Sequence, residues 1–177
     1  MYLRSSFILI GIFGLIACRP IVYADMSYEM KSYNNLPFRT DGYYYYSNYS
    51  KYDNDSLINV QFFYKNGVNL HYGNSSYSGI TAIDKLLDLE NKLLDTTTYR
   101  LSKERLKDHS DWSVFIVDGQ RLFMESYIPA IELGNIKNTF KYSNTIENDT
   151  VLISGYGAKW LFRQFDYKPD SSYCPLK

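Results

Sequence analysis

The segment that most constrains the fold is Asp111 to Pro129, DWSVFIVDGQRLFMESYIP, in which two apolar-rich arms flank Asp118-Gly119. A two-residue Asp-Gly connection suits the tight turn of an antiparallel hairpin, and both arms are rich in strand-forming residues. Aromatic residues make up 18% of the whole chain, which extends the preference for pleated strands beyond this segment. The sequence therefore predicts a β-rich protein built around this hairpin.

Turn signals divide much of the remaining chain into further hairpins, and Asn66-Gly67 is the clearest of them. In the arm that follows it, Val68, Leu70 and Tyr72 share one face. Asn69 and His71 share the other, so we expect His71 to be a solvated or hydrogen-bonded strand residue. The strands predicted outside the central hairpin are 38–46, 57–64, 68–72, 139–147, 150–154 and 159–167.

A single long segment departs from this pattern. Leucine and isoleucine recur at helical spacing from Ile83 to Leu94, with charged residues between them, which predicts an amphipathic helix that Thr81 or Ser78 can cap. We expect its apolar stripe to pack on the sheet through Leu86, Leu87 or Leu93. The predicted fold is mainly β (α+β), an antiparallel meander or barrel of about eight strands with this helix inserted between strands 3 and 4.

The row of four tyrosines from Tyr43 to Tyr46 suggests an aromatic binding platform at first sight. Strand alternation places Tyr43 and Tyr45 on one face and Tyr44 and Tyr46 on the other. At most half of them line any one surface, so we interpret the row as packing residues.

The N-terminus has the pattern of an export signal. A short basic start, MYLR, precedes the apolar run Phe7 to Ala17, which is too short to span a bilayer comfortably. The end of this run, Leu15-Ile16-Ala17-Cys18, resembles the lipobox of bacterial lipoproteins, and the resemblance implies that Cys18 is acylated and becomes the mature N-terminus. Two alternatives remain open, an ordinary signal peptide cut after Ala24 and an uncleaved N-terminal anchor.

The predicted organisation is a lipoprotein signal peptide (1–17), a tether (18–36) and a single β-rich domain (37–177). The formal charge of +0 becomes about −1 once the signal peptide with its Arg4 is removed, which argues against a nucleic-acid partner. The only cysteines are Cys18 and Cys174, so acylation of the first leaves the second as a free thiol. The alternative is a disulfide between them.

No motif for catalysis occurs in the sequence. There is no glycine-rich phosphate loop, no His-Glu-x-x-His and no Gly-x-Ser-x-Gly, and the only two histidines lie on different predicted elements. Two cysteines are too few for a cysteine-based metal site. We therefore expect a protein that is not an enzyme, with no catalytic residues, no metal and no cofactor. An enzyme that uses carboxylates or tyrosines outside any recognisable motif is the less favoured alternative.

Several segments carry a resemblance to a known class: the lipobox, FRTDGYYYY, FFYKNGV, the central hairpin, ENDTVLI and the closing KPDS. Together they resemble small lipoproteins of Gram-negative envelopes, and the strand arrangement is similar to lipocalin-like meanders. The resemblance implies an outer membrane lipoprotein, facing the periplasm or the cell surface and anchored through acyl chains on Cys18. It implies a binding or interaction module for an envelope protein or a small apolar ligand.

The candidate ligand-binding residues come from the central hairpin. Alternation places Trp112, Val114 and Ile116 on one face of the first arm and Leu122, Met124 and Ile128 on one face of the second. An eight-stranded barrel is wide enough to be filled by side chains or to hold one small ligand. We therefore predict a packed barrel with a loop-borne partner site. The alternative is a small apolar ligand in the barrel, which would contact Trp112, Ile116 and Met124.

Overall fold

The computed structural model describes residues 22–50, 55–73, 81–94, 109–127 and 136–176. Within these ranges the chain forms ten β-strands and one α-helix, with single 3-10 turns at His109–Asp111 and Ser171–Tyr173. The elements are β1 (Val22–Tyr23), β2 (Gly42–Ser50), β3 (Asp55–Phe63), β4 (Val68–Gly73), α1 (Ala82–Leu94), β5 (Trp112–Asp118), β6 (Arg121–Tyr127), β7 (Ile136–Lys137), β8 (Thr139–Asn148), β9 (Val151–Ser154) and β10 (Lys159–Gln164).

Eight of these strands close into one antiparallel barrel in the order β10-β2-β3-β4-β5-β6-β8-β9. Each barrel strand pairs with the next barrel strand along the chain, and β10 returns to pair with β2. The short strands β1 and β7 pair with each other in parallel, outside the barrel. The predicted fold class is confirmed, including the position of α1 between the third and fourth barrel strands.

The central hairpin forms as predicted, but its turn begins one residue later. Asp118 pairs with Arg121, so the two-residue loop is Gly119-Gln120 and Asp118 is the last residue of β5. Gly119 has a φ of 56°, a left-handed value that glycine adopts without strain. Gly119 is therefore the first residue of the loop, and Asp118 remains paired with Arg121 in the sheet.

A similar shift occurs between β8 and β9, where the predicted turn was Asn148-Asp149. Asn148 is the last residue of β8, and its side-chain oxygen accepts hydrogen bonds from the Thr150 amide (2.9 Å) and hydroxyl (2.8 Å). Asparagine stabilises a turn through this side-chain contact from the position before the loop. Between β3 and β4, by contrast, the loop is Lys65–Gly67, as predicted, and Gly67 has a φ of 81°.

Side chains alternate between the inside and the outside of the barrel wall. One buried apolar cluster draws on seven of the eight barrel strands, and only the interior of a closed barrel brings these together. It contains Phe38, Tyr44, Phe63, Phe115, Leu122, Met124, Ile146, Leu152 and Trp160. Tyr43 belongs to a second cluster, on the outer wall, so the predicted division of the tyrosine row is confirmed.

The helix α1 covers part of this outer wall. Thr81 caps it, because its hydroxyl oxygen accepts from the Asp84 amide (3.3 Å) while the Asp84 carboxylate accepts from the Thr81 amide (3.2 Å). Leu86 and Leu93 are buried in the outer cluster, as predicted. Leu87, the other leucine named for this stripe, is 45% exposed. It lies about 100° around the helix from Leu86, away from the wall.

An ion pair also holds α1 on the barrel. The Glu90 carboxylate accepts from the Arg163 guanidinium (2.6 and 2.9 Å) and from the Tyr43 hydroxyl (2.8 Å). The guanidinium is the main reason that the pKa of Glu90 is lowered from its ordinary value. The contact fixes the helix to β2 and β10, the strands on which Tyr43 and Arg163 lie.

The predicted tether lies on the barrel instead of extending from it, at least from residue 22 onward. We call residues 24–41 the strap. The Glu125 carboxylate accepts four hydrogen bonds in this region, three of them from the strap: from the Ser27 amide (2.8 Å) and hydroxyl (3.0 Å), the Tyr28 amide (2.8 Å) and the Thr139 hydroxyl (2.8 Å). Burial raises the pKa of Glu125, but these hydrogen bonds together lower it by more than burial raises it. The net shift is therefore downward.

The strap then closes one end of the barrel, which we call the closed end. The Tyr33 amide donates to the Lys65 carbonyl (2.7 Å), and the Tyr33 ring stacks on Phe115 with 5.5 Å between centroids. Phe38 inserts edge-on against Phe63, at 5.1 Å. The opposite end of the barrel, where β4 ends and β5 begins, is the mouth.

Cys174 lies near the C-terminus as a free thiol, as predicted. It packs against the outer cluster, and burial raises its pKa to about 11, which keeps the thiol protonated and poorly reactive. Cys18, the signal peptide and Ser78 lie outside the described residues, so acylation stays a prediction. In the part of the chain that the structure describes, no helix has the length and apolar character needed to cross a bilayer.

Candidate functional site

The three predicted ligand contacts do not share a surface. Met124 pairs with Phe115 inside the barrel, whereas Trp112 lies in the outer cluster with its ring 5.8 Å from that of Tyr64. Ile116 alternates with Phe115, and so it faces outward with Trp112. A two-residue loop pairs odd-numbered residues of one arm with even-numbered residues of the other, which separates Met124 from the other two. Ile128 lies outside the described residues.

The inner face of the barrel has two chemically different halves. The half near the closed end is filled by members of the apolar inner cluster, among them Phe38, Phe63 and Phe115. The half towards the mouth is polar although it is largely buried. We call its members the polar cluster: Gln61, Asn69, His71, Ser113, Ser126 and Tyr142.

Strand register brings the polar cluster together across β3, β4, β5 and β6. Gln61 pairs with His71, and Asn69 pairs with Ser113 on the next strand. Ser113 in turn pairs with Ser126. Since directly paired residues on one face have Cβ atoms about 5 Å apart, these side chains form one continuous patch.

Two oxygen atoms of the polar cluster are buried without a hydrogen-bond partner: Gln61 Oε1 and Asn69 Oδ1. The Asn69 amide nitrogen donates to the Phe62 carbonyl (3.2 Å), which fixes the orientation of that side chain and leaves its oxygen free. Asn69 is 0% exposed and Gln61 is 4% exposed. A buried unpaired acceptor costs about 1 to 3 kcal/mol, and native structures pair nearly all such atoms.

The hydroxyl groups of the cluster bond to each other. Ser113 and Ser126 share a short hydrogen bond across β5 and β6, and the Tyr142 hydroxyl bonds to both serines. Burial raises the pKa of Tyr142, so the phenol stays protonated. A hydroxyl both donates and accepts, so this group can reorient to suit a neighbour that does either.

His71 completes the cluster as a neutral group. Burial lowers its pKa below the ordinary value of 6.5, because the barrel interior disfavours the imidazolium. The sequence predicted a solvated or hydrogen-bonded strand residue and did not say which way this face points. It faces into the barrel, and the apolar face of β4 faces the outer cluster. His109, the other histidine, lies before β5 and stacks on Tyr23.

Stability should therefore depend on His71 in mildly acidic solution. The unfolded state binds a proton near pH 6.5 and the folded state resists it, so the free energy of unfolding falls as the pH drops below 6.5. Urea unfolding of wild type and His71→Gln at pH 7, 6 and 5 checks this. We expect the variant to lose less stability than wild type over that range, and equal losses would contradict the assignment.

Aromatic rings border the polar cluster on the side of the mouth. Tyr46 and Trp160 pair at 5.7 Å between centroids, and Phe140 stacks on Tyr142 at 5.3 Å. These rings present apolar faces beside polar atoms. A small molecule with both polar and apolar parts matches that combination.

A concave pocket lies on the outer wall, beneath the strap. It has a volume of about 440 Å³, and Asp25, Tyr28, Glu29 and Tyr127 are among the residues that line it. The Tyr127 hydroxyl already donates to the Ala24 carbonyl (2.8 Å). Because none of its lining residues has a buried unpaired polar atom, this outer pocket is the weaker candidate.

Sequence reasoning missed the polar cluster. One available signal was the set of polar residues at alternate positions of β4, but such a set is equally typical of a solvated strand face. No group of His, Cys, Asp and Glu that could hold a metal ion occurs among the described residues. The cluster is suited to binding by hydrogen bonds.

In comparisons with known proteins, the chain matches no family model, no curated protein and no solved structure. Its class is therefore defined by its own architecture. It is a closed eight-stranded antiparallel barrel with the polar cluster buried towards the mouth. At the closed end, Phe38, Phe63 and Phe115 form what we call the apolar plug.

Proposed function

We propose that this protein is a membrane-anchored envelope lipoprotein whose barrel binds a small ligand at the polar cluster. The observation that carries the proposal is the pair of buried, unpaired oxygens on Gln61 and Asn69. A barrel interior that serves only as packing gains nothing from such atoms, and each of them costs stability. A ligand that donates hydrogen bonds would remove that cost.

The apolar plug limits where the ligand lies and how large it is. Phe38, Phe63 and Phe115 occupy the closed end, so only the part of the interior towards the mouth is left for a ligand. Eight-stranded barrels hold one small molecule at most. The proposal is therefore a carrier or sensor of one small molecule, held at the outer membrane by acyl chains on Cys18.

Displacement of a neutral, environment-sensitive dye tests the proposal. The chain should start at residue 19, so that β1 and the strap are retained. We expect saturable binding to wild type that is lost in Ser126→Phe, because Ser126 points inward. It should persist in Ser143→Phe, whose partner Phe123 lies on the outward-facing set of β6. Binding that survives in folded Ser126→Phe, or none to wild type, would contradict the proposal.

Anchoring is tested separately. Cys18→Ser should abolish incorporation of a labelled fatty acid and move the protein out of the membrane fraction or stall it as a precursor, since stable anchoring needs the acyl chains. Cys174→Ser is the matched control and should keep the label, because Cys174 lies on the barrel. Equal labelling of wild type and Cys18→Ser would overturn the lipoprotein assignment.

A second candidate function is docking to another envelope protein. It is favoured by an apolar stripe on the outer face of α1, where Ile83, Leu87 and Leu94 are exposed. Photo-crosslinking from position 87 in cells tests it, with position 156, a fully exposed site in the β9–β10 turn, as a control for chance collisions. A single strong crosslinked species from position 87, together with absent dye binding, would put docking ahead of ligand binding.

A further inference from the structure

We infer that the ligand is a small neutral or cationic molecule that presents N–H or O–H donors, and that the site rejects carboxylates such as fatty acids. This inference rests on the proposed function, because it names the ligand class of the same site. It follows from three properties of the barrel interior, which are its surplus of acceptors, its lack of charge and its aromatic border.

The surplus of acceptors comes from the two side-chain amides. The Asn69 amide group is oriented by its bond to the Phe62 carbonyl, so its free oxygen is an acceptor and not a donor. Gln61 Oε1 is the second free acceptor. A carboxylate has only acceptor oxygens, so it could bond to the hydroxyl groups of the cluster but would leave these two acceptors unpaired. An amine, amide or alcohol supplies the missing donor.

The charge of the interior points the same way. The inward-facing strand residues whose side chains the structure describes include no Asp, Glu, Lys or Arg. They are Tyr44, Tyr46, Asn59, Gln61, Phe63, Asn69, His71, Ser113, Phe115, Val117, Leu122, Met124, Ser126, Phe140, Tyr142, Asn144, Ile146, Leu152, Ser154, Trp160, Phe162 and Gln164. A buried ion of either sign would therefore lack a counter-charge, which is costly. For a cation, the two free amide oxygens and the aromatic border offset part of that cost.

Two cations at the closed end of the barrel are already engaged. Arg39 forms an ion pair with Asp41 at 2.5 Å, and Lys168 donates to the carbonyls of Thr40 (2.8 Å) and Phe63. Both lie on the far side of the apolar plug from the polar cluster. Neither group is available to balance a carboxylate near the mouth.

The aromatic border favours positive over negative charge. The faces of Tyr46, Trp160 and Phe140 carry the negative part of the ring quadrupole, which attracts cations and repels anions. The same faces accept the apolar part of a ligand. A compact molecule with a flat or aliphatic body and a donor group at one end fits both features.

Matched ligands on one scaffold test the inference. The probes are 2-phenylethanol, 2-phenylethylamine and phenylacetate, measured by saturation-transfer NMR against the full chain in phosphatidylcholine nanodiscs, with empty nanodiscs subtracted. We expect the alcohol and the amine to bind at least about tenfold more tightly than the carboxylate. Gln61→Met removes one acceptor and keeps a side chain of similar size. It should weaken the binding of the alcohol and of the amine about fivefold to tenfold. Gln120→Met, in the exposed β5–β6 turn, should change nothing.

Each outcome has a separate meaning. If phenylacetate binds as tightly as the alcohol and Gln61→Met weakens it, the inference is overturned while the proposed function stands. If none of the three shows binding that depends on Gln61, and the neutral dye also fails to bind, both fall. If the alcohol and the amine bind but Gln61→Met has no effect although it folds, the acceptor argument is wrong.

Discussion

Replacing Leu86 by alanine is expected to lower the free energy of unfolding by about 2 to 5 kcal/mol. Leu86 is 2% exposed and packs in the outer cluster between α1 and the barrel wall. Removing its side chain leaves a cavity that the closed barrel cannot collapse to fill, because the strands beneath are fixed by their ladder. Urea unfolding followed by circular dichroism measures the change.

Leu87→Ala provides the matched control on the same helix. Its side chain is 45% exposed, so we expect a change within about 0.5 kcal/mol. The two variants have the same helix propensity and differ only in the face that is truncated. Equal losses for both would mean that α1 does not sit on the barrel as described.

Replacing Glu125 by leucine is expected to release the strap. Glu125 is 1% exposed and accepts hydrogen bonds from Ser27, Tyr28 and Thr139. Hydrogen bonds to a charged group contribute about 1.5 to 3 kcal/mol each, so the free energy of unfolding should fall by about 3 kcal/mol or more. Trypsin should also cut the variant at Lys31, in the strap, at a trypsin concentration that leaves wild type uncut.

Glu147→Leu is the control for this change. Glu147 lies on β8 and meets Lys159 at 3.4 Å in a solvent-exposed pair, which contributes less than about 1 kcal/mol. The control should keep the strap protected from trypsin. If Glu125→Leu and Glu147→Leu are cut at Lys31 equally slowly, the strap is held by something other than Glu125.

Much of the fold could be predicted because its signals are local. The turns at Asn66-Gly67 and around Gly119 set the hairpins, and leucine spacing set the helix. Strand alternation separated Tyr43 from Tyr44. A chain of neighbouring hairpins with few long crossovers leaves little freedom in strand order, which is why the barrel order follows the sequence.

The direction of each face could not be predicted in the same way. Alternation divides Asn69 and His71 from Leu70 and Tyr72, but it does not say which side faces the barrel interior. In most half-buried sheets the polar side faces water. Here α1 and the strap cover the outer wall, so the apolar side of β4 packs outward and its polar side lines the interior.

Two other errors have different causes. A two-residue loop pairs odd-numbered residues of one strand with even-numbered residues of the next, so Trp112 and Met124 face opposite sides of the sheet. The sequence of the hairpin was enough to predict this. The strap could not have been found, because Ser27 and Glu125 are 98 residues apart and no local pattern links them. A polar segment with scattered apolar residues is equally typical of a tether.

The most direct test of a ligand inside the barrel is where a bound probe lies. Intermolecular NOEs should be measured between 2-phenylethanol and the protein, using the side-chain amide protons of Gln61 and Asn69 and the ring protons of His71 and Trp160. Ligand binding at the polar cluster predicts NOEs to both amides and to Trp160. NOEs to Tyr28, Tyr127 and Leu176 instead would place the probe in the outer pocket beneath the strap and contradict the account.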